Sequence, residues 1–492
     1  MTFLQPAIPF GPIVILGLVA FLIHHLYRLA HDPLRRVPGP WLARFTRLWE
    51  LHQIRRGHFE QINVELHQRY GPIVRIAPNR YSISSPAALQ TIYGHGSKFT
   101  KDRWYRAYGH PDDSQADMFS VMDERRHAAH RRKVASMFSM TSMVAYEPFV
   151  NSCNTTLVEQ LSQRAARGES VAIPRWMQYY AFDVIGEITV GASFGMMRTG
   201  GDIDGILQTL QDNLSYSSRM SLFVELHSWI GQLNHLLGSR SSFENINAFV
   251  HRHLAARRHA RSDRPDFIQK LIDLQEAGKV NDLELFNTIN ANIAAGSDTT
   301  GLTLSAAIYH LARNKSCAER LREEIDARLA AGQLSTPISF SEAQQMPYLQ
   351  AIIKEVLRVH PAVGLPLPRV VPAPGVELER YFFPKGTVVG MNAWVVHRDQ
   401  DVFGADADIF RPERWLGPKE EVVVMDKTLF SFGAGSRTCV GKNISLLEIT
   451  KLIPELYRRF DFQLEGDEWR TDNVFFVKPS FTCRVVSRAE VD

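Results

Sequence analysis

Cys439 lies in the segment Phe430–Gly441, FSFGAGSRTCVG, a glycine-rich loop that presents a single thiol. Glycines at 433, 435 and 441 permit backbone angles that other residues resist, so the chain can turn tightly and approach a flat ligand. The following residues, Lys442 to Ile449, carry apolar side chains at helical spacing. The sulfur is thus expected near the unpaired N–H groups and positive dipole end of a helix, and both favour a thiolate. A free thiol titrates at about 8.5, so loop amides, helix terminus and a bound metal must together hold the charged form, iron contributing most. Phe432 is placed to cover the sulfur side of a macrocycle, and Arg437 to pair with a carboxylate on its rim. The alternative is a buried structural cysteine beside a turn.

A second set of chemical groups falls on the longest helical pattern. Asn281-Asp282-Leu283-Glu284 reads as a helix start, and the pattern continues without proline to about Arg313. At ~1.5 Å per residue such a helix spans roughly 48 Å, the width of a domain. Its middle reads Ala295-Gly296-Ser297-Asp298-Thr299-Thr300. Glycine there costs about 1 kcal/mol against alanine, and threonine bonds back to the carbonyl four residues earlier. Small residues at 295 and 296 leave space for a diatomic ligand, while Asp298 and Thr299 offer a carboxylate and a hydroxyl for relaying protons. A helix kink with small residues packed against a neighbour is the other reading. Farther along, Glu355 and Arg358 stand three apart on one helix face, where they can pair. His360-Pro361 follows, and Phe410-Arg411-Pro412-Glu413-Arg414-Trp415 comes about fifty residues later.

Taken together these segments resemble the cytochrome P-450 superfamily of haem-thiolate monooxygenases. The loop matches in full the spacing F-x-x-G-x-R-x-C-x-G of that family's haem-binding signature, and oxygen groove, E-x-x-R, P-E-R and cysteine loop occur in the family's order. The resemblance implies a mostly α-helical domain with a smaller β-rich part. It implies haem b (iron protoporphyrin IX) with Cys439 as the metal ligand and Phe432, Arg437 and Gly441 around it. It also implies O2 in the groove at 295–300 with Asp298 and Thr299 catalytic, and a structural triad of Glu355, Arg358 and Arg414. Electrons would come from NADPH through a flavoprotein, cytochrome P-450 reductase, and one oxygen atom would enter a hydrophobic small molecule. Text such as LPLPRVVP and FGAGSRTCVGKNIS resembles the fungal microsomal, pisatin-demethylase-like type, which implies secondary-metabolite biosynthesis. Two other readings stand beside this: a haem-thiolate isomerase or dehydratase, and a non-catalytic membrane haem sensor or carrier.

Asp123 to Phe138 forms a helix with a basic face, which taken alone is a solvated surface. In the family the corresponding helix lies over the haem edge, which makes Arg131 the expected propionate partner. Where the family often has tryptophan four residues earlier, this chain has His127. Leu367-Pro368-Arg369-Val370-Val371 reads as a strand entry, with Arg369 as a second propionate partner and Val363, Leu365 and Leu367 as pocket candidates.

The elements that must position these groups belong to 492 residues with a net charge of +4, too small to suggest nucleic-acid binding by bulk charge. No Ser/Gly-rich or Pro-rich linker divides the chain after its first forty residues, so 41–492 reads as one domain. Cysteines at 153, 317, 439 and 483 include no C-x-x-C pair, which argues against a zinc ribbon or disulfide framework and for a reducing compartment. Phe10 to Tyr27 is nearly all apolar, with Arg28, Arg35 and Arg36 after it and no basic residue before it. That favours a single-pass anchor in 1–29 over a cleaved signal, with the catalytic domain facing the cytosol at the endoplasmic reticulum membrane. The span is short against ~20 residues. Residues 30–40, with Val37-Pro38-Gly39-Pro40, read as a stiff hinge. Residues 73–76 and 81–83 read as a β-hairpin, and the resemblance implies a lid over the substrate channel from about 203 to 258.

Overall fold

The computed structural model describes residues 31–236 and 244–488, together with Leu16, Val19, Ile23 and Tyr27. The expected anchor otherwise lies outside the described residues, among which no helix is long and apolar enough to cross a membrane. The strands and helices that bear on the site are, in chain order, β1 (Ile73–Ala77), β2 (Arg80–Ile83), β3 (Thr100–Lys101), α1 (Glu124–Val134), α2 (Met140–Arg167), α3 (Ile173–Val190) and α4 (Ile206–Met220). After them come α5 (Asp282–Arg313), α6 (Pro347–Val359), β4 (Leu367–Val370), β5 (Val388–Met391), α7 (Lys442–Arg459), β6 (Phe460–Asn473) and β7 (Val477–Ser487). Helices dominate, and a five-stranded sheet in the order β1-β2-β5-β4-β3 stands to one side. The hairpin expected at 73–83 is present, antiparallel from Ile73↔Ile83.

α5 runs the full 32 residues that its sequence pattern predicts and opens on a capping box, Asn281 and Glu284 each bonding the other's backbone N–H. Its buried face, including Ile289, Ile293 and Leu304, joins Ile185 and Ile188 of α3 and Leu447 and Ile453 of α7 in one core. α3 comes unusually close. A Cβ at Gly301 would sit 3.0 Å from the Met177 carbonyl oxygen, and one at Gly296 would sit 2.9 Å from Ile185 Cδ1. The space at Gly296 is therefore filled by α3, and this mid-helix glycine serves helix packing as well as the groove expected there.

The residues expected as a hinge are docked onto the sheet. Leu34 and Val37 are buried, and Arg75 of β1 gathers Asp32 in an ion pair, with the Leu34 and Pro78 carbonyls at 2.8 Å. Gly39 has φ 156° and touches the Arg75 backbone, so a side chain there would collide.

Glu355 is fully buried and accepts five hydrogen bonds. They come from Arg358 Nε (2.8 Å) and Nη2 (2.7 Å), Arg414 Nε (3.0 Å), Trp415 Nε1 (2.9 Å) and the Arg411 amide (2.8 Å). The triad read from E-x-x-R and P-E-R is thus assembled as a closed network. Arg358 also donates to the carbonyls of His397 (2.9 Å) and Ile409 (3.0 Å). A buried ion pair stripped of one charge leaves the other without compensation, at a cost of about 3–5 kcal/mol. Glu355→Gln is expected to lose that much stability in urea denaturation; a loss below about 1 kcal/mol would show that the network does not hold the fold.

Four histidines, three of them buried and His310 half-buried, set an acid limit. Burial holds His67 down at about 4 and His310, His360 and His397 at about 3. Unfolding returns each to an ordinary value near about 6.5, where it binds a proton. Their stabilising contribution is complete above about pH 6.5 and is lost as pH falls from there toward the folded values. Thermal midpoints should be level above pH 7 and decline steadily below pH 6; a midpoint unchanged down to pH 5 would rule these histidines out.

Candidate active site

A cavity of about 390 Å³ lies between α5 and the loop that carries Cys439. The loop is shaped by its own backbone: the Cys439 amide donates to the Phe432 carbonyl at 2.8 Å, and the Gly433 amide to that of Phe430 at 2.9 Å. Gly433 and Gly435 have φ of 69° and 61°, and a Cβ at Gly435 would lie 2.0 Å from the Tyr93 carbonyl oxygen. Only glycine fits at 435. The loop is tied to the charge network by His397, which the sequence reading passed over. Its Nδ1 lies 2.9 Å from the Arg358 carbonyl, and its Nε2 accepts from the Phe430 amide at 2.7 Å. The proton therefore sits on Nδ1.

Cys439 is exposed to the cavity, although the surrounding protein desolvates its Sγ. Burial raises its pKa, while the Gly441 and Lys442 amides and the Arg131 and Lys442 charges pull it down. Burial wins, so the loop amides and helix end do not by themselves produce the thiolate expected from the sequence. α7 begins at Lys442 with Gly441 as its N-cap, and a Cβ on Gly441 would approach Sγ to 3.9 Å. Phe432 lines the cavity beside the thiol, with Lys442 Nζ 5.6 Å from its ring centroid.

Across the cavity, α5 presents Ala295, Asp298 and Thr299. Thr299 Oγ1 donates to the Ala295 carbonyl at 2.8 Å. Asp298 is buried; it accepts from Gln178 of α3 and pairs with Lys478 of β7 at 2.9 Å. Gln178 and Lys478 carried no motif that could have marked them. Thr300 Oγ1 donates to Ser445 Oγ of α7 at 3.0 Å, which ties the two walls together. Val363, Leu365 and Leu367 line the cavity as expected, and α4, from the expected lid, contributes Leu210 and Leu214.

The expected rim cations are placed differently from one another. Arg131 lines the cavity and donates to the Thr438 carbonyl at 2.6 Å. Arg437 also lines it, but already has a carboxylate in Glu124 at 2.9 Å and the Val121 carbonyl at 3.0 Å. Arg369 donates to Tyr105 Oη at 2.7 Å and the Pro368 carbonyl at 2.9 Å. Its cross-strand neighbour Lys101 lines the cavity. His127, buried at the same end, is held neutral at about 3 by burial and by Arg437, Lys101 and Arg131.

This donor set suits a metal that brings most of its own ligands. Among the described residues no group of three or more His, Cys, Asp or Glu side chains could hold a bare ion. One soft sulfur beneath an apolar cavity with a cationic side fits a planar iron macrocycle carrying carboxylates. Gly435→Ala is expected to leave far-ultraviolet circular dichroism unchanged while reducing haem uptake several-fold; normal uptake would show that the loop has slack at Tyr93.

A family model described as cytochrome P-450 matches residues 38–482. Two pisatin demethylases of Fusarium vanettenii are 39% and 40% identical over 97% of this chain, covering 93% and 95% of their own lengths. The cytochrome P-450 monooxygenase gsfF of Penicillium aethiopicum is 36% identical, over 96% of each chain. With the cysteine loop, the central helix and the Glu355 network all in the positions described, the chain belongs to the cytochrome P-450 family of haem-thiolate monooxygenases.

Proposed function

We propose that this enzyme oxidises a flat aromatic small molecule while anchored to the cytosolic face of the endoplasmic reticulum, with Cys439 as the haem ligand and a flavoprotein reductase as electron donor. The observation that carries this reading is the pairing of one cavity-facing thiol with the acid and hydroxyl of α5 across the cavity. Bound haem supplies the activation of O2 and transfer of one of its oxygen atoms, with electrons that originate in NADPH. The chain's own side chains do the rest. Cys439 Sγ would ligate the iron, Arg131 would hold a carboxylate of the group, and the Thr299 hydroxyl, resting on the Ala295 carbonyl, would turn to carry a proton at Oγ1. Asp298, held by Gln178 and Lys478, would accept a proton from the Lys478 side or from water and pass it on toward the hydroxyl. An isomerase, dehydratase or haem carrier has no use for this pair.

Aromatic substrates are supported by the cavity wall. The rings of Tyr108, Phe119 and Phe475 stand 4.8–6.0 Å apart, centroid to centroid. Phe475 holds its place at φ 129°, clamped by the Gly364 amide at 2.9 Å and by Asn473 Oδ1 at 3.1 Å, strain that the surrounding turn sustains. The two pisatin demethylases make oxidative loss of a methyl group the reaction to test first. Membrane attachment is supported by the exposed apolar side chains of Leu16, Val19, Ile23 and Tyr27, and by Trp41, Leu42, Trp229 and Leu233 on the domain. The Arg47–Glu225 pair at 3.1 Å links these two parts of the domain surface.

Purified protein with reductase and NADPH should release formaldehyde from a methoxylated aromatic; no NADPH consumption across a broad set of such compounds would overturn the reading. Thr299→Ala should keep the haem spectrum, cut product several-fold and divert NADPH equivalents to peroxide, whereas unchanged coupling removes the proton relay. A chain starting at residue 31 should float with phospholipid vesicles far less than the full chain; equal flotation would mean that the domain surface alone suffices.

A further inference from the structure

One face of α4 looks into the cavity. Leu210, Asn213, Leu214 and Ser217, at helical spacing, all line it. Two of the four are apolar; the other two carry an amide and a hydroxyl. Elsewhere on α4 polar side chains find partners. Gln208 donates to Asp212 at 3.0 Å, Tyr216 Oη lies 2.9 Å from His227 Nδ1, and the Ser218 hydroxyl donates to the Ser215 carbonyl at 3.2 Å. Asn213 and Ser217 differ. Among the described residues Asn213 Nδ2 is buried without a hydrogen bond, and the hydroxyl of Ser217, a residue 7% exposed, has no partner either. A polar group taken out of water and left unpaired is costly, and asparagine is in addition a poor helix former. Apolar side chains at 213 and 217 would serve the fold better, so the pair answers to something that enters the cavity.

We propose that Asn213 and Ser217 hydrogen-bond a neutral accepting oxygen, carbonyl or hydroxyl, on the aromatic substrate, and that this contact selects which aromatics are oxidised. The inference rests on the reading of the cavity as a site for methoxylated aromatics. α4 packs against the 3₁₀ turn Arg103–Tyr108, and Leu214 and Tyr108 share one apolar cluster with Phe475 and Phe476. A ring resting against Tyr108 and Phe475 is thus beside α4. The distribution of charge selects a neutral group. The cations that line the cavity, Lys101, Arg131 and Arg437, stand on β3, α1 and the cysteine loop, and α4 contributes none. A carboxylate brought to α4 would exchange its water for two uncharged donors, a poor bargain that a ketone or hydroxyl does not face. The amide N–H and the serine O–H are both donors, so the substrate atom is an acceptor. An analogue that lacks this oxygen leaves the two groups unpaired again, and is discriminated against for that reason.

The test follows formaldehyde release by holoenzyme with reductase and NADPH from two compounds: a methoxynaphthalene with an acetyl group on its other ring, and the analogue with ethyl there. Wild type should show kcat/KM about tenfold higher for the ketone. Asn213→Leu, close to asparagine in volume, should bring that ratio to near unity, and Ser217→Ala should lower it about threefold. The carbon monoxide band of the reduced haem shows whether each variant is folded and loaded; if Asn213→Leu is not, the Ser217→Ala ratio decides. A wild-type ratio near unity would overturn the proposal. An Asn213→Leu chain that loses rate on both compounds alike and keeps the ratio would also overturn it, since packing alone then explains the residue. Formaldehyde from neither compound, with NADPH left unconsumed, would sink the aromatic reading itself, and this inference with it.

Discussion

The Glu355 carboxylate is the interaction on which the rest of the structure depends. Five donors from four residues converge on its two oxygens, and every one of them is at least partly withdrawn from water. Removing charge from water is expensive, and the arrangement is stable only because no lone pair or guanidinium face is left idle. Its value lies in position. Arg358 is held on one side by Glu355, and its own backbone carbonyl holds the His397 ring, whose other nitrogen takes the Phe430 amide. Phe430 begins the loop that ends at Cys439. The location of one sulfur atom is thus set by a carboxylate in a separate part of the fold, through one imidazole.

The cavity above that sulfur is held open by the opposite strategy, close packing of backbones. Gly301 lets α5 approach the α3 main chain, where any Cβ would meet backbone that cannot yield. Gly296 gives way to Ile185 in the same interface. The Thr300–Ser445 hydrogen bond then ties α5 to α7 on the far side. The small residues at the helix centre therefore do two things at once. They bring α3 close, and they leave Ala295, Asp298 and Thr299 as the groups facing the cavity.

Charge around this cavity is unevenly distributed. Burial lifts the Cys439 thiol despite the amides aimed at it, and a cation at sulfur would act in the same direction as those amides. Lys101 stands beside the like charges of Arg369 and Arg437, and Arg131 donates to the Thr438 carbonyl. A group that is cationic at its centre and anionic at its edge answers both, whereas an ion or a neutral ligand answers at most one.

Local pattern in the chain determined the helix from Asp282 to Arg313, the hairpin at β1 and β2, the loop around Cys439 and the pairing of Glu355 with Arg358. Each of these depends on neighbours a few residues apart, on glycine's freedom or on helical periodicity, and spacing records such things directly. The family's ordered motifs extended this to Arg414, 59 residues from Glu355. What tertiary structure alone decided is which of several equivalent side chains reaches the cavity. Arg369 and Lys101 are cross-strand neighbours of like charge, and Tyr105 separates their tasks, its hydroxyl taking the guanidinium of one and its ring facing the ammonium of the other. His397, Gln178 and Lys478 act on groups 33, 120 and 180 residues away. A side chain that works through such a contact leaves no periodic trace, because its role exists only once distant segments have been packed against each other.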